Sequence, residues 1–399
     1  MRRTLNLLGI SVLALLAVGL TLLASASEAN GIRLHGNAYH FVVYQAIWLV
    51  AVAVPAMLFA MFFDYHRWQR HPWLTVAAYV VICLLLASVF GFRAINGSHR
   101  WIILGPVRLQ PSEFAKIAVI LATGVFLDRS GWRIELFWKG AVPAVGIIGV
   151  LAAFTVAEPD FGSTMVIGLT GFVLLLAGGM KVMHILALGG AGALAVLGII
   201  STNINRMRRI IAWLPSSLAS WTAGFLNLPD VVQDDKTRNA IHQLNQALVA
   251  IQRGGLTGVG FNKSMQKQYY LPEAHTDFIF AIGAEEWGLV FSLGLLALFT
   301  IVFVCGILIA ARAPDRLGRF VAFGATFLIF FQALFNIGVV TGVLPTKGLA
   351  LPFISYGGTN LVTGLVAVGL LFNVGRQIEL QNRRQRSRIS PVFSTKEVR

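Results

Sequence analysis

Long apolar runs, separated only by short charged islands, constrain this chain more than any other feature. A helix needs about 20 apolar residues to cross the hydrocarbon core of a bilayer. With that ruler ten spans are expected: Leu5–Ala26, Phe41–Phe63, Leu74–Phe92, Glu113–Leu127, Gly140–Ala157, Ser163–Ala177, Ile185–Ile200, Glu286–Ala310, Phe320–Thr341 and Gly358–Val374. Composition agrees, since 56 % of the 399 residues are hydrophobic and only 12 % are charged. Soluble domains carry roughly 25 % charged residues. Too little polar surface remains to coat a water-soluble globule of this size. A cytosolic enzyme, a disordered chain and a disulfide-stapled secreted domain are excluded. The expectation is an all-α integral membrane protein of about ten transmembrane helices.

The first span follows Arg2 and Arg3 and precedes Ala24-Ser25-Ala26, so it resembles a signal peptide. Its apolar stretch exceeds the usual core of about 7–15 residues, and it reads as an uncleaved first helix. Lys and Arg positions then set the orientation. An inside N-terminus gathers Arg2, Arg3, Arg67, Arg70, Arg129, Arg133, Lys139, Lys181, Arg312, Arg316, Arg319 and the basic tail on the cytoplasmic side. The short outer loops then hold only Arg33, Arg93, Arg100, Arg108 and Lys347. Both termini are expected in the cytoplasm, with one long extracytoplasmic loop, 201–285, between the seventh and eighth spans. Residues 1–375 form the membrane domain and 376–399 a cytoplasmic tail. The net charge of +15 is thus a topology signal. No basic patch carries aromatic readout positions, and no nucleic-acid partner is expected. Cys83 and Cys305 lie inside spans and suggest neither a disulfide nor a zinc site.

The long loop opens with Arg206, Arg208 and Arg209, followed by a Trp/Leu-rich stretch containing Trp213 and Trp221 that suits the membrane interface. A polar, helix-like run over 234–251 leads to a Gly-rich turn at Gly254, Gly255, Gly258 and Gly260. Lys263, Lys267, Tyr269 and Tyr270 come next, then the string LPEAHTDFIFAIGAEEWG. A loop this long without strong amphipathic order is unusual unless it is functional.

Polar groups near spans cost several kcal/mol, so each needs a reason. In Arg108-Leu-Gln110-Pro111-Ser112-Glu113-Phe-Ala-Lys116, Pro111 and Ser112 read as a helix start, with Glu113 well placed against its dipole. Glu113 and Lys116 form either an i,i+3 ion pair or part of a polar cavity. Glu158-Pro159-Asp160 could cap the next helix, or its two acids could bind a divalent cation or a basic side chain. Asp277, in Glu273-Ala-His275-Thr276-Asp277, stands where a polar loop meets a phenylalanine-rich stretch. A carboxylate there would be partly desolvated, as suits a general base at a membrane surface, although a helix-capping role is equally open. The Pro/Gly-rich run 342–359, with Lys347 and Ser355, suits either phosphate binding at a helix N-terminus or a tight re-entrant turn. Gln332 and Asn336 read as interhelical hydrogen-bond partners. No Walker loop, HExxH or dinucleotide fingerprint occurs, so any chemistry must draw on an activated, membrane-borne substrate.

The strings NGSHRWI…LQPSEFAK, EPDFGS, YLPEAHTDFIFAIGAEEWG and VLPTKGLALPFISYGG resemble the SEDS family (shape, elongation, division and sporulation proteins). The wording of YLPEAHTDFIFA and LPTKGLALPFISYGG is nearer the division branch than the elongation branch. The likeness runs from about Asn96 to Gly375. The chain departs from the usual pattern between Arg209 and Asp230, at Gln252-Arg253, at Trp287 and at Thr359-Asn360.

The resemblance implies a peptidoglycan glycosyltransferase that polymerises lipid II at the outer face of the cytoplasmic membrane, at the division septum. The family's essential loop aspartate matches Asp277, and its fourth-helix motif matches Arg108, Gln110, Glu113 and Lys116. His275, Lys347 and Ser355 join them as expected substrate-binding residues. A divalent cation (Mg²⁺ or Mn²⁺) is implied, with Glu158 and Asp160 as candidate ligands. The implied partners are a class B penicillin-binding protein and other division-complex membrane proteins. A lipid II flippase and a non-catalytic scaffold are the competing readings. The flippase would spread its charges across the membrane depth, and the scaffold would not need Asp277.

Overall fold

A computed structural model describes residues 1–93, 98–105, 107–201, 213, 218, 235–268, 270–345 and 348–393. Eleven helices carry the argument. In chain order they are α1 (Arg2–His35), α2 (His40–Phe62), α3 (Pro72–Ser88), α4 (Pro111–Ser130), α5 (Phe137–Ala157), α6 (Phe161–Ala177), α7 (Val182–Ser201), α8 (Asp235–Gly254), α9 (Ile279–Ala311), α10 (Arg316–Val340) and α11 (Gly358–Phe393). A small antiparallel hairpin, β1 (Ile102–Leu104) and β2 (Val107–Leu109), precedes α4 and pairs Ile103 with Arg108.

Each of the ten apolar segments expected to span coincides with a helix. Among the described residues, seven helices are long and apolar enough to cross a membrane: α1, α2, α3, α5, α9, α10 and α11. The apolar helices Phe161–Ala177 and Val182–Gly192 are shorter. α4 has 20 residues but carries Glu113, Lys116, Asp128 and Arg129, which lower its hydropathy.

Local chemistry explains several irregularities. Both α2 and α5 contain one wide π turn, at Leu49–Ala53 and Phe137–Ala141, immediately ahead of Pro55 and Pro143. A proline ring clashes with the carbonyl four residues earlier and offers no N–H, so the preceding turn widens. α1 runs unbroken through Ala24-Ser25-Ala26 to a left-handed Gly36.

α9 is broken at Gly288 (φ 73°, ψ −162°). The Gly-rich turn docks there: Val259 N–H donates to the Glu285 carbonyl, Gly260 N–H to that of Glu286, and Leu289 N–H to that of Gly255. A Cβ at 288 would collide with the backbone of Leu256 and Gly258, so glycine is required. The long loop therefore carries more order than its sequence suggests. α8 buries Ala247 and Ala250 and packs against α9. Arg206, Arg208, Arg209, Trp221 and Tyr269 lie outside the described residues. Trp213 donates a 2.9 Å hydrogen bond to the Gly342 carbonyl.

Chain direction brings the N-terminal ends of α4, α6, α9 and α11 to the same end as the C-terminal end of α10. At the opposite end, Tyr65 and His66 bond the carboxylate of Asp315, which caps α10 through Gly318 N–H.

Candidate active site

The site is assembled by α10 and the loop 348–357. Gln332 and Asn336 lie one turn apart on α10, both buried. The Asn336 amide donates to the backbone carbonyls of Asp277 (2.8 Å) and Leu349 (2.6 Å). Gln332 Nε2 donates to the Ala350 carbonyl (2.9 Å) and Asn360 Oδ1 (2.8 Å), while its Oε1 accepts from Lys116 Nζ (3.2 Å). Two adjacent amides therefore grip consecutive residues of one loop and reach Asp277 on one side and Lys116 on the other. The interhelical bonding expected of these two residues is present in Gln332, which joins Lys116 of α4 and Asn360 of α11, while the grip on the loop carbonyls was not foreseen.

Asp277 is half-buried just ahead of α9. Its carboxylate packs so closely on Gly348 that a Cβ at that position would collide with Oδ2. The two preceding residues are also tied down. Ser355 Oγ donates to the Thr276 carbonyl (2.6 Å) and accepts from Leu351 N–H (2.8 Å). Tyr356 N–H donates to the His275 carbonyl (3.0 Å). Gln45 of α2 clasps the same loop, donating to the Ser355 carbonyl (3.2 Å) and accepting from Gly357 N–H (3.2 Å). Ser355 is buried and its hydroxyl is engaged on both sides, so it ties this loop to the segment that carries Asp277. The His275 ring packs on Phe41, and burial lowers its pKa, with Glu273 opposing.

Lys116 and Glu113 form a buried ion pair at 2.6 Å, with Lys116 0 % exposed. The pair sits a turn inside α4, and Gln332 caps the ammonium. Among the described residues, Glu113 Oε2, Asn336 Oδ1 and Asn360 Nδ2 have no hydrogen-bond partner. Unpaired buried polar atoms are costly and rare. Three of them around one ion pair mark a polar interior between α4, α10 and α11.

Gln110 and Ser112 face a third carboxylate. Gln110 Nε2 donates to Ser112 Oγ and Asp160 Oδ2, each at 3.0 Å, and Ser112 Oγ donates to the same Oδ2 at 3.0 Å. Asp160 Oδ1 accepts from Ser163 N–H and caps α6. This is the capping role left open by the sequence. Thr359 at the start of α11 joins this group to the ion pair's side, accepting from Gln110 N–H (3.3 Å) beside Asn360. Arg108 is exposed on β2. Lys347 lies outside the described residues.

Glu158 is 0 % exposed, and neither carboxylate oxygen has a hydrogen-bond partner among the described residues. Burial, reinforced by the charge of Asp160 and opposed by Arg100, pushes its pKa up to about 8. A divalent cation needs several ionised oxygens converging on it. Only two carboxylates meet here, and Asp160 already accepts from Ser163 N–H, Gln110 and Ser112, so the pair alone does not make up such a ligand set. Among the described residues no three His, Cys, Asp or Glu side chains converge on a point.

A second buried cluster escaped sequence reasoning. Lys267 Nζ lies 3.5 Å from Glu286, 3.6 Å from Glu28 and 3.0 Å from Ser25 Oγ, and also bonds Asn262. Glu285 accepts from Ser264 Oγ and from Met265 and Gln266 N–H. These acids bind the loop 262–267 to the start of α9. Ser25 and Glu28, polar residues late in an apolar helix, were the available signal.

A family profile described as Cell cycle protein (FTSW_RODA_SPOVE) matches residues 6–380. A Coxiella burnetii protein named "Probable peptidoglycan glycosyltransferase FtsW" is 36 % identical, covering 93 % of this chain and 95 % of that one. The Bacillus subtilis stage V sporulation protein E is also 36 % identical, covering 93 % and 96 %. Among solved structures, a chain from work on how a peptidoglycan synthase complex coordinates polymerization and crosslinking superposes with a TM-score of 0.69. It is 28 % identical and covers 92 % of this chain and 96 % of that one. The Thermus thermophilus rod shape determining protein RodA superposes at 0.63, with 25 % identity over 92 % and 95 %.

Proposed function

The chain belongs to the FtsW/RodA/SpoVE family of cell cycle proteins, and on that footing we propose that it is a peptidoglycan glycosyltransferase that polymerises lipid II. Asp277 is the general base. It takes the proton from the acceptor sugar's 4-hydroxyl as that oxygen attacks the donor's anomeric carbon. The new glycosidic bond forms with inversion, through an oxocarbenium-like state, and undecaprenyl pyrophosphate leaves. The leaving group is already activated and needs little acid assistance.

One observation carries this reading: a half-buried carboxylate is fixed at the end of the molecule where four helices begin. Helix N-termini present unsatisfied N–H groups and positive dipole ends, which favour an anionic pyrophosphate. Exposed Arg108 adds a cation at that end. Lys116, enclosed by Glu113 and Gln332, acts from behind, by holding the amide that positions the loop. The cation implied by the resemblance finds no fitting ligand set in Glu158 and Asp160, and no step is routed through it.

In the same proposal the chain crosses the membrane ten times, both termini are cytoplasmic, and the site faces outward. A class B penicillin-binding protein crosslinks the strand, and the setting is the septum in the cytoplasmic membrane. The solved synthase complex supports such a partner. The test is polymerisation of purified lipid II by the purified protein with its partner, with glycan length read on a gel. Loss of polymer in Asp277→Ala with partner docking retained supports the enzyme. Polymerisation at the unmodified rate refutes the mechanism and returns the flippase and scaffold readings.

A further inference from the structure

Six aromatic rings run in unbroken contact from the loop of Asp277 to the corner between α1 and α2. His275 packs on Phe41 (ring centroids 4.9 Å apart) and lies 5.9 Å from Tyr356, and Phe41 meets Tyr356 edge-on at 5.1 Å. From Phe41 the series continues to His40 (5.5 Å), which stacks on His35 at 3.6 Å and tilts against Tyr44 at 4.8 Å. Phe41 is buried beneath, while His35 is exposed and His40, Tyr44, His275 and Tyr356 are partly so. Among the described residues, the Tyr44 and Tyr356 hydroxyls and the His35 and His40 ring nitrogens have no hydrogen-bond partner.

We infer that this ridge is a saccharide-binding subsite for the uncrosslinked glycan strand, an inference that rests on the polymerase reading. An aromatic face is electronegative and its edge electropositive. The C–H face of a pyranose ring, weakly electropositive, suits such a surface, and its hydroxyls suit the open imidazole and phenol edges. A row of rings can therefore hold successive sugars with little preference for position, as a growing polymer demands.

Charge is complementary too. Arg33 lies in the same last turn as His35, and the Arg108 charge reaches Tyr356. Both oppose the carboxylates of lactyl-peptide stems. The ridge ends two residues from Asp277, so a strand lying along it presents its terminal sugar to the base. Isolated aromatic residues in a membrane interface would neither stack in series nor lead to the catalytic loop.

The test uses the full-length protein in lipid nanodiscs and soluble, lipid-free oligomers of alternating N-acetylglucosamine and stem-bearing N-acetylmuramic acid. Binding is measured by calorimetry. Unmodified protein and Asp277→Asn are expected to bind alike, because the ridge does not need the base. His40→Ala and Tyr44→Ala each weaken binding about tenfold, and tenfold is about 1.4 kcal/mol. His40→Phe and Tyr44→Phe, which keep a ring, retain most of the affinity, so loss of folding cannot mimic the result. In the polymerase assay the alanine variants make shorter strands, because the product leaves sooner. Absence of oligomer binding, or equal binding by the alanine variants, overturns the subsite. Polymerisation by Asp277→Ala at the unmodified rate would instead overturn the polymerase mechanism and leave the binding result standing.

Discussion

Asn336 holds Asp277 by its backbone, donating a 2.8 Å hydrogen bond to the Asp277 carbonyl while the same nitrogen binds that of Leu349. The base and the loop facing it are thereby fixed to one rigid helix. Asn336→Leu frees both carbonyls, and a shift of about 1 Å in a reacting group can cost on the order of 100-fold in rate. Polymerisation should fall roughly 10- to 100-fold with KM little changed. Steady-state assays at several lipid II concentrations check the split, and an unaltered rate would contradict the positioning role.

Lys116 and Glu113 are worth more to folding as a pair than either is alone. Breaking a buried ion pair from one side costs about 3–5 kcal/mol, whereas neutralising both partners can be nearly free. Lys116→Met should lower the thermal midpoint sharply in detergent. Glu113→Gln with Lys116→Met should recover the midpoint but not the activity, since Gln332 still loses its ammonium partner. Recovery of both would assign the pair to stability alone.

Gly348→Ala tests the close approach to Asp277 without touching the carboxylate. The added Cβ would collide with Oδ2, so the base must rotate away. Activity should drop by about 100-fold or more, with the fold retained by circular dichroism. An active, folded Gly348→Ala would show that the carboxylate does not work from this position.

Glu158 makes stability depend on pH in a definite direction. The folded protein keeps this proton up to about pH 8, whereas an ordinary glutamate releases it near 4.5. Folding therefore binds a proton between those values, and the contribution is full below about 4.5 and lost as pH rises through about 8. The thermal midpoint should fall as pH rises from about 4.5 to about 8 and level off above that, and Glu158→Gln should flatten that decline. A slope unchanged in the variant would contradict a buried, protonated acid.

Most of the helical framework was legible because apolar length and helix-start chemistry are local signals. Pro111, Ser112 and Glu113 marked the start of α4, and the span expected from Glu286 falls next to the break at Gly288. The site was legible as separate clusters but not as one assembly. Asn336 and Asp277 are 59 residues apart, and Gln45 and Ser355 are 310 apart. No periodicity announces such pairings. Ser355 looked like a ligand because a serine in a Gly-rich loop often is one, and its bond to the Thr276 carbonyl, 79 residues away, depends on the fold. The Lys267 cluster was hidden for the same reason, since Ser25 and Glu28 come from the first helix.

The most direct measurement is the rate at which Asp277→Asn, reconstituted with its partner penicillin-binding protein, converts lipid II to glycan. The substitution keeps size and hydrogen-bonding capacity while removing the base. General-base assistance contributes about 10²- to 10⁴-fold, so the account predicts a loss within that range while soluble glycan oligomers still bind. Polymerisation by Asp277→Asn at the unmodified rate would contradict it.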